Sequence, residues 1–515
     1  MSRLTEYPFV LHLLLAAIAG GLIPLSFSPF NIWLLQPLSA ALFYLLLADR
    51  NPSRAAWIGF SYGLGLFGAG ASWIHVSIRD FGNAGPVLSL IITAGFVAIM
   101  ALFILLQAWS FSRFIKAPLL IPGFAALWVV CEWFRGWFLT GFPWLYLGYA
   151  HTESMFAGLA PVFGVLGITF TMALSGALLG AMARHYLVHQ SPYALAGTHL
   201  PTMLLFLWGL ASLSNRMQWI DERTDDTVTV GMVQGNIEQS LKFRADYLQE
   251  SLDVYNQLST TLWHNELVIW PETAIPLVYQ NAGDILQYFG QQASGANSTL
   301  VSGIFYRNEV GAMHNSVVTL GNGEGIWHKQ KLVPFGEYVP LASVVGTVLQ
   351  IFNLPMSSLQ PGPPGQTMLS AGPYSIAPFI CYEIVYPDFV RRYGQQADIL
   401  LTVSNDTWFG ASLGPLQHLQ MAAMRSLEMG KSMARATNNG VSALIDGHGH
   451  ILASTPQFES AILQGELPLY TGRTFFSRWG SFPVILLCGL IILINIQPAF
   501  MRRFTAGIND DNIEK

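Results

Sequence analysis

"APFICYEIVYPDF", residues 377–389, begins as an apolar run, ends that run at Cys381 and follows it at once with Tyr382 and Glu383. A free cysteine is ordinarily a small buried hydrophobe, so the stretch takes its meaning from the rest of the chain. Only three cysteines occur in 515 residues, and Cys131 and Cys488 lie within long apolar runs. Cys381 is therefore the one thiol of the polar part of the chain, and no disulfide framework can form there. A polar side chain directly after a buried strand can point into a crevice at the sheet edge, where open α/β architectures place their chemistry. Two more residues stand at the same kind of exit: Glu272 after "LVIWP" and Lys329 after "GEGIWH".

Chemistry gives the three a common purpose. A thiol near its reference pKa of about 8.5 is mostly protonated at neutral pH, so a nearby base is needed to make the thiolate, and Glu272 can serve if the two meet. Lys329 can then stabilise the negative oxygen that develops when the thiolate attacks a carbonyl. A histidine base is the competing possibility, and His314, His328 and His418 are all present.

Around these residues the chain from 228 onward reads as short β-rich runs separated by polar or helical stretches: "VTVGMV", "ELVIWP", "STLVSGIF", "NSVVTL", "YSIAPFI", "ADILLTVS", "SALIDG" and "AILQGEL". Helical periodicity is expected in 243–265 and in 415–430, where Met421, Met424 and Leu427 recur at helix spacing. Strands alternating with helices predict two sheets covered by helices, an α/β sandwich of about 265 residues, large enough to bury a full core. The tract "QPGPPGQTM" (360–368) is expected to be a surface loop, and His448 and His450 in "DGHGH" a solvent-facing turn and not a metal site.

Composition places this domain against a membrane. Hydrophobic residues make up 52% of the chain and charged residues 11%, where roughly 25% charged is usual for soluble domains. The net charge of -5 offers no basic surface for a nucleic acid. Seven apolar segments fill the first 214 residues, near 8–27, 31–48, 56–75, 84–108, 117–138, 156–182 and 199–214, and an eighth occupies 482–496. At about 1.5 Å per residue most can cross a hydrocarbon layer of about 30 Å. With the N-terminus cytoplasmic, eight crossings put Arg3, Arg50, Arg54, Arg113, Lys116, Arg184, Arg502 and Arg503 inside, and only Arg79 and Arg135 near outer ends. The reading is a seven-helix membrane domain (1–214), an outer catalytic domain (215–480), an eighth span (481–499) and a cytoplasmic tail (500–515). The aromatic and charged stretch holding Glu132, Trp133, Arg135, Trp137 and Trp144 is either an anchoring belt at headgroup depth or a lipid-entry surface.

"WPETAIP" (270–276), "HKQKLVPFGEYVP" (328–340), "CYE" (381–383) and "SNDTWFG" (404–410), on a chain with eight spans and the run "QGNIEQSLKF" (234–243), resemble the nitrilase superfamily and specifically its membrane-bound branch, the apolipoprotein N-acyltransferases. The resemblance implies an α-helical multi-pass membrane domain joined to a nitrilase-like α-β-β-α sandwich. It implies a Glu272, Lys329, Cys381 triad, supported by Glu337, Tyr382 and Glu383, with no cofactor or metal. It further implies a bacterial inner-membrane enzyme with both termini cytoplasmic and the catalytic domain periplasmic. Such an enzyme takes an acyl chain from the sn-1 position of a phospholipid, preferably phosphatidylethanolamine, and passes it through a thioester to the amino-terminal cysteine of a diacylglyceryl lipoprotein. The family often has tryptophan where this chain has Phe243, which preserves apolar packing but not an indole N–H bond. A carbon-nitrogen hydrolase of amidase or nitrilase type would share the triad and pass the thioester to water, but would not require eight spans. A decayed scaffold is disfavoured by the intact triad, and a transporter by the large outer domain.

Overall fold

The computed structural model describes residues 8–82, 84–191, 195, 197–340 and 358–510. Arg3 of the charge count and residues 511–515 of the expected tail lie outside that set. The first part of the chain folds into α1 (Phe9–Leu22), α2 (Leu35–Leu47), α3 (Pro52–Gly70), α4 (Ile74–Phe81), α5 (Pro86–Phe114), α6 (Leu120–Arg135), α7 (Ala160–His189) and α8 (Leu200–Ser214). Each expected apolar segment holds a helix, and α4 is additional. By length and composition three stretches among the described residues can cross a membrane: Phe9–Ser26, Pro86–Phe114 and Ala157–His189. Leu35–Leu47, Leu200–Ser214 and Phe482–Ile496 are shorter apolar helices. The C-terminal helix, Phe482–Asp510, continues beyond the expected end of the eighth span at 499.

Small residues let the helices meet closely. A Cβ on Gly20 would fall 2.0 Å from the Tyr62 carbonyl oxygen, and one on Gly65 1.9 Å from that of Ala17, so α1 and α3 touch backbone to backbone. Helix α3 starts where Asn51 Oδ1 accepts from Arg54 N at 2.9 Å, with Pro52 in the first turn. On α5 the apolar residues Val87, Leu90, Ile91, Ile99 and Leu102 stay exposed, a face suited to lipid.

The polar part contains β1 (Ile220–Gln234), β2 (Leu267–Ile269), β3 (Ile275–Val278), β4 (Thr299–Arg307), β5 (Met313–Gly321), β6 (Gly323–Glu324), β7 (Ile326–His328), β8 (Leu369–Ala371), β9 (Tyr374–Ile380), β10 (Ile399–Ser404), β11 (Met433–Thr437), β12 (Ala443–Ile445), β13 (Ile451–Ser454) and β14 (Ala461–Gly472). They form two seven-stranded sheets, one ordered β14-β1-β2-β4-β5-β7 with β3 paired to β4, the other β13-β12-β11-β10-β9-β8-β6. Strand alternation divides the core: Val301 of β4 faces the second sheet, while its neighbour Leu300 faces the helices α9 (Leu248–Ser259) and α10 (Gly283–Gly295). Helices α11 (Pro387–Gly394) and α12 (Gly414–Met429) cover the second sheet. The result is the expected α-β-β-α sandwich. The sequence missed β3, β8, β11 and β13 and read β6 and β7 as the single run "GEGIWH"; most are two to four residues long, and β11 hides an arginine.

The membrane helices and the second sheet share one continuous apolar core. Helix α7 breaks at Gly164 (φ 65°), and the freed amide of Val165 donates to Glu428 Oε1 of α12 at 2.7 Å.

Candidate active site

Glu272, Lys329 and Cys381 arrive on three loops that leave β2, β7 and β9. Glu272 sits in a turn whose next residue, Thr273, is left-handed (φ 53°). Gly303 of β4 makes room for it, because a Cβ there would fall 2.2 Å from Thr273 N and 2.8 Å from Glu272 C. Lys329 follows β7 directly, and Cys381 opens a 3-10 turn, Cys381–Val385, directly after β9. Cys381 is itself left-handed (φ 53°), a conformation that costs a non-glycine residue about 1–2 kcal/mol and needs partners to hold it.

The charged groups converge in a closed cluster. Lys329 Nζ lies 2.8 Å from Glu337 Oε1 and 3.4 Å from Glu272 Oε1, and all three side chains are buried. Asn315 Nδ2 donates to Glu272 Oε1 at 2.7 Å and to Glu337 Oε1 at 3.2 Å. Glu337 Oε2 accepts from Val333 N at 2.8 Å, which ties the "PFGE" turn to the same site. Glu383 accepts from Ile380 N at 2.8 Å, Gln330 N at 2.7 Å and Lys331 N at 3.1 Å, so one carboxylate joins the Lys329 loop to the Cys381 loop. Burial pushes Glu383 up to about 7 against those three donors.

Electrostatics set the resting state. Burial pushes the Cys381 thiol above its ordinary value and the Glu272 charge adds to the rise, while Lys329 and a hydrogen bond with Ser404 oppose it. Burial alone would lower Lys329, but Glu337, Glu272 and the Cys381 sulfur override it and hold the ammonium above its ordinary value. Both shifts favour a neutral thiol beside a charged lysine, so a base is needed to take the thiol proton.

Several contributors escaped sequence reading. Asn315 lies inside the strand "NSVVTL", where it read as one more sheet residue. Lys242, in "SLK", is buried and donates to the Glu272 carbonyl oxygen at 2.9 Å; burial lowers it to about 8, with Glu272 opposing. Its neighbour Phe243 does not join the cluster: it is 44% exposed, with its ring 6.1 Å from that of Phe305. Among the histidines, His314 Nδ1 pairs with the Gln360 carbonyl and His328 Nδ1 with Ser316 Oγ, while His418 Nε2 faces the Cys381 carbonyl at 3.2 Å.

The loop between α6 and α7 lies against this site. Tyr382 Oη donates to the Gly141 carbonyl at 3.0 Å, and Tyr386 Oη to that of Thr140 at 3.0 Å. Trp137, Phe138 and Leu139 at its tip are exposed. Glu132 and Arg135 are buried inside the protein and are not free to project as surface anchors. Glu132 accepts from Trp128 Nε1, Leu147 N and Thr169 Oγ1, and Arg135 Nη1 donates to the Phe142 and Trp144 carbonyls at 2.7 Å. Trp144 is buried too, donating to Gln417 Oε1 at 2.7 Å.

Comparison with known proteins matches both halves. Residues 19–178 match the family described as apolipoprotein N-acyltransferase N-terminal domain, and residues 229–475 match carbon-nitrogen hydrolase. The chain is 44% identical to the apolipoprotein N-acyltransferase of Pseudomonas putida over 486 residues, covering 93% of this chain and 95% of that one. It is 44% identical to the enzyme of that name from Azotobacter vinelandii, covering 95% of each, and 38% identical to that from Photobacterium profundum, covering 92% of each. Among solved structures, a carbon-nitrogen hydrolase from Helicobacter pylori is similar at 15% identity and a TM-score of 0.36, over 47% of this chain and 89% of that one.

Proposed function

The chain belongs to the apolipoprotein N-acyltransferase family, a multi-pass inner-membrane enzyme with a phospholipid donor and a lipoprotein acceptor, and from that premise we propose how its own residues perform the transfer. Cys381 is the nucleophile, Glu272 the general base and acid, and Lys329 the stabiliser of the oxyanion. Glu272 takes the Sγ proton and the thiolate attacks the sn-1 ester carbonyl of a phospholipid, preferably phosphatidylethanolamine. The tetrahedral oxyanion forms beside the Lys329 ammonium. Collapse breaks the ester bond, and the lysophospholipid leaves as an alcohol with the proton returned by Glu272. The α-amine of the diacylglyceryl-cysteine then gives a proton to Glu272 and attacks the thioester, forming the amide and restoring the thiol.

Glu337 keeps Lys329 in place when Glu272 is neutralised, since Lys329 then loses the charge of its second anion. Glu383 and Tyr382 position the nucleophile turn, and Phe243 packs acyl chain at the rim. In the proposed topology both termini are cytoplasmic, residues 1–214 and 481–499 hold the spans, 215–480 form the periplasmic domain, and 500–515 the tail.

The observation that carries the reading is the buried Glu272–Lys329–Glu337 cluster whose charges bear on the Cys381 thiol, with Tyr382 bonded to a loop of the membrane bundle. Full-length protein in vesicles of phosphatidylethanolamine tests it by intact-protein mass spectrometry. One acyl mass should appear on Cys381, be absent in C381A, and discharge onto an added diacylglyceryl-cysteine peptide. An adduct at another residue rejects the nucleophile, and discharge to water at the same rate without the peptide makes the enzyme a hydrolase.

A further inference from the structure

A second buried polar group lies behind the nucleophile. It consists of Asp406 after β10, His418 on α12 and Arg435 on β11, all shut off from solvent. Arg435 Nη2 is 2.7 Å from Asp406 Oδ2 and 3.2 Å from His418 Nδ1. Asp406 Oδ1 accepts from Ser404 Oγ at 2.6 Å and lies 3.2 Å from the same His418 Nδ1. On the other side of the ring, Nε2 is 3.2 Å from the Cys381 carbonyl oxygen.

Donor accounting places the proton. A carbonyl oxygen only accepts, so Nε2 carries hydrogen; a guanidinium only donates, so Nδ1 presents its lone pair to Arg435. The neutral Nε2–H tautomer satisfies the Cys381 and Arg435 contacts and leaves Nδ1 with no hydrogen for Asp406 Oδ1, which is equally near at 3.2 Å. The other neutral tautomer would set a lone pair against the carbonyl and aim a hydrogen at the guanidinium. Asp406 does not need the imidazole hydrogen, because Arg435 and Ser404 already donate to it. Burial, and after it the Arg435 charge, lowers the His418 pKa, which keeps the ring neutral.

We propose that Arg435 and His418 are positioning residues for the nucleophile: Arg435 selects the tautomer of His418, and its Nε2–H grips the Cys381 carbonyl to hold the turn that aims Sγ. This rests on the reading that Cys381 carries the acyl group. The left-handed Cys381 is clamped on both sides, since Glu383 fixes the Ile380 amide before it and His418 fixes the carbonyl after it. The clamp is also tied to the membrane bundle. Gln417, next to His418, accepts from Trp144 Nε1 at 2.7 Å and Trp73 Nε1 at 3.3 Å, and the Trp144 ring lies 5.8 Å from the imidazole.

Two amides separate positioning from mere packing. In H418N the side-chain oxygen replaces Nδ1 as acceptor for Arg435 but no N–H reaches Cys381, whereas H418Q is long enough to bring an amide N–H to the carbonyl. The readout is the rate constant of acyl-enzyme formation and the KM for phosphatidylethanolamine, with full-length enzyme in mixed micelles and melting temperatures in parallel. H418N should acylate about 10²-fold more slowly at unchanged KM, the cost of a catalytic group displaced by about 1 Å, and H418Q should recover to within about tenfold of wild type. H418N acylating at the wild-type rate, or a folded H418Q as slow as H418N, overturns the proposal. If H418N does not fold, H418Q decides alone: a rate within about tenfold of wild type supports the clamp and a 10²-fold loss overturns it. Failure of the nucleophile reading shows separately, as wild-type enzyme without an adduct on Cys381.

Discussion

Replacing Glu337 by glutamine removes one charge from a cluster of three and leaves the shape nearly intact. At an effective dielectric constant of about 20, the gross attraction of Lys329 is about 6 kcal/mol to Glu337 at 2.8 Å and about 5 kcal/mol to Glu272 at 3.4 Å. The lysine is thus shared almost evenly between two anions. During acylation Glu272 becomes neutral when it accepts the thiol proton, and Glu337 is then the only carboxylate of the pair still charged beside the ammonium. In E337Q that moment leaves Lys329 without a charged partner among the two carboxylates it touches, and free to leave its aim. The expected loss is about 10²- to 10³-fold in the acylation rate, the usual effect of removing one preorganised electrostatic partner. Stability should fall by about 1–3 kcal/mol, less than the 3–5 kcal/mol typical of breaking a buried pair, because Glu272 still compensates the charge. Single-turnover acylation at saturating phospholipid, followed by mass, measures the first quantity, and thermal unfolding in detergent the second. Glu337 also ties its own turn through Val333 N, so instability alone decides nothing. A folded E337Q that acylates at the wild-type rate refutes the electrostatic role.

Lys242 should behave as a support for the base: K242M is expected to slow acylation about tenfold, a small displacement of Glu272. Its pH signature has a definite sign. The folded ammonium is lowered to about 8 from 10.5, so above pH 8 the unfolded chain binds more protons than the fold and wild-type stability rises toward pH 10.5, by at most about 3 kcal/mol. The melting temperature of wild type relative to K242M should therefore climb between pH 7.5 and 9.5, and a constant difference would count against a buried charged lysine. Phe243, outside the cluster and partly exposed, should act on lipid capture: F243A is expected to raise the KM for phospholipid severalfold and leave acylation at saturation unchanged. A slower saturated rate with unmoved KM would instead put Phe243 at the reacting atoms.

The positions of Glu272, Lys329 and Cys381 were legible because each ends an apolar run, and a buried strand that stops at a polar residue delivers that residue to a sheet edge. The helices of the apolar segments were legible for a similar reason, and among the described residues three stretches are long and apolar enough to cross a membrane. What stayed hidden is what only tertiary contact can pay for. Arg435 makes "MARAT" look unlike a strand until Asp406, 29 residues earlier in the chain, is set beside it. Glu132 and Arg135 read as part of an anchoring belt or a lipid-entry surface because their partners are mostly main-chain groups of a loop whose path no local pattern reveals. Lys242 drew no reading of its own for the same reason, its acceptor being a carbonyl in another turn.

The junction between the two halves determines how substrates can reach the thiol. Glu428 of the catalytic half accepts the Val165 amide where α7 restarts after Gly164, placing a carboxylate on the positive end of a membrane helix. Arg425 compensates that charge at 3.1 Å, and neither side chain is exposed. Arg425 also lies 5.4 Å from the Tyr149 ring, and Tyr149 Oη donates to the Val385 carbonyl at 3.0 Å, within the turn that Cys381 opens. Swinging the halves apart would leave the Arg425–Glu428 pair intact on α12 but strip the helix end of its anion, break the Tyr149 contacts and open the apolar core that the halves share, the charged hydrogen bond alone being worth about 1.5–3 kcal/mol. A hinge between them is therefore a poor route for substrate. With the halves held together, one crevice must serve donor and acceptor in turn; the exposed Trp137, Phe138 and Leu139 lie on the loop whose Thr140 and Gly141 carbonyls accept from Tyr386 and Tyr382. A ping-pong thioester meets that constraint, since it lets two large lipidated substrates use one crevice without ever occupying it together.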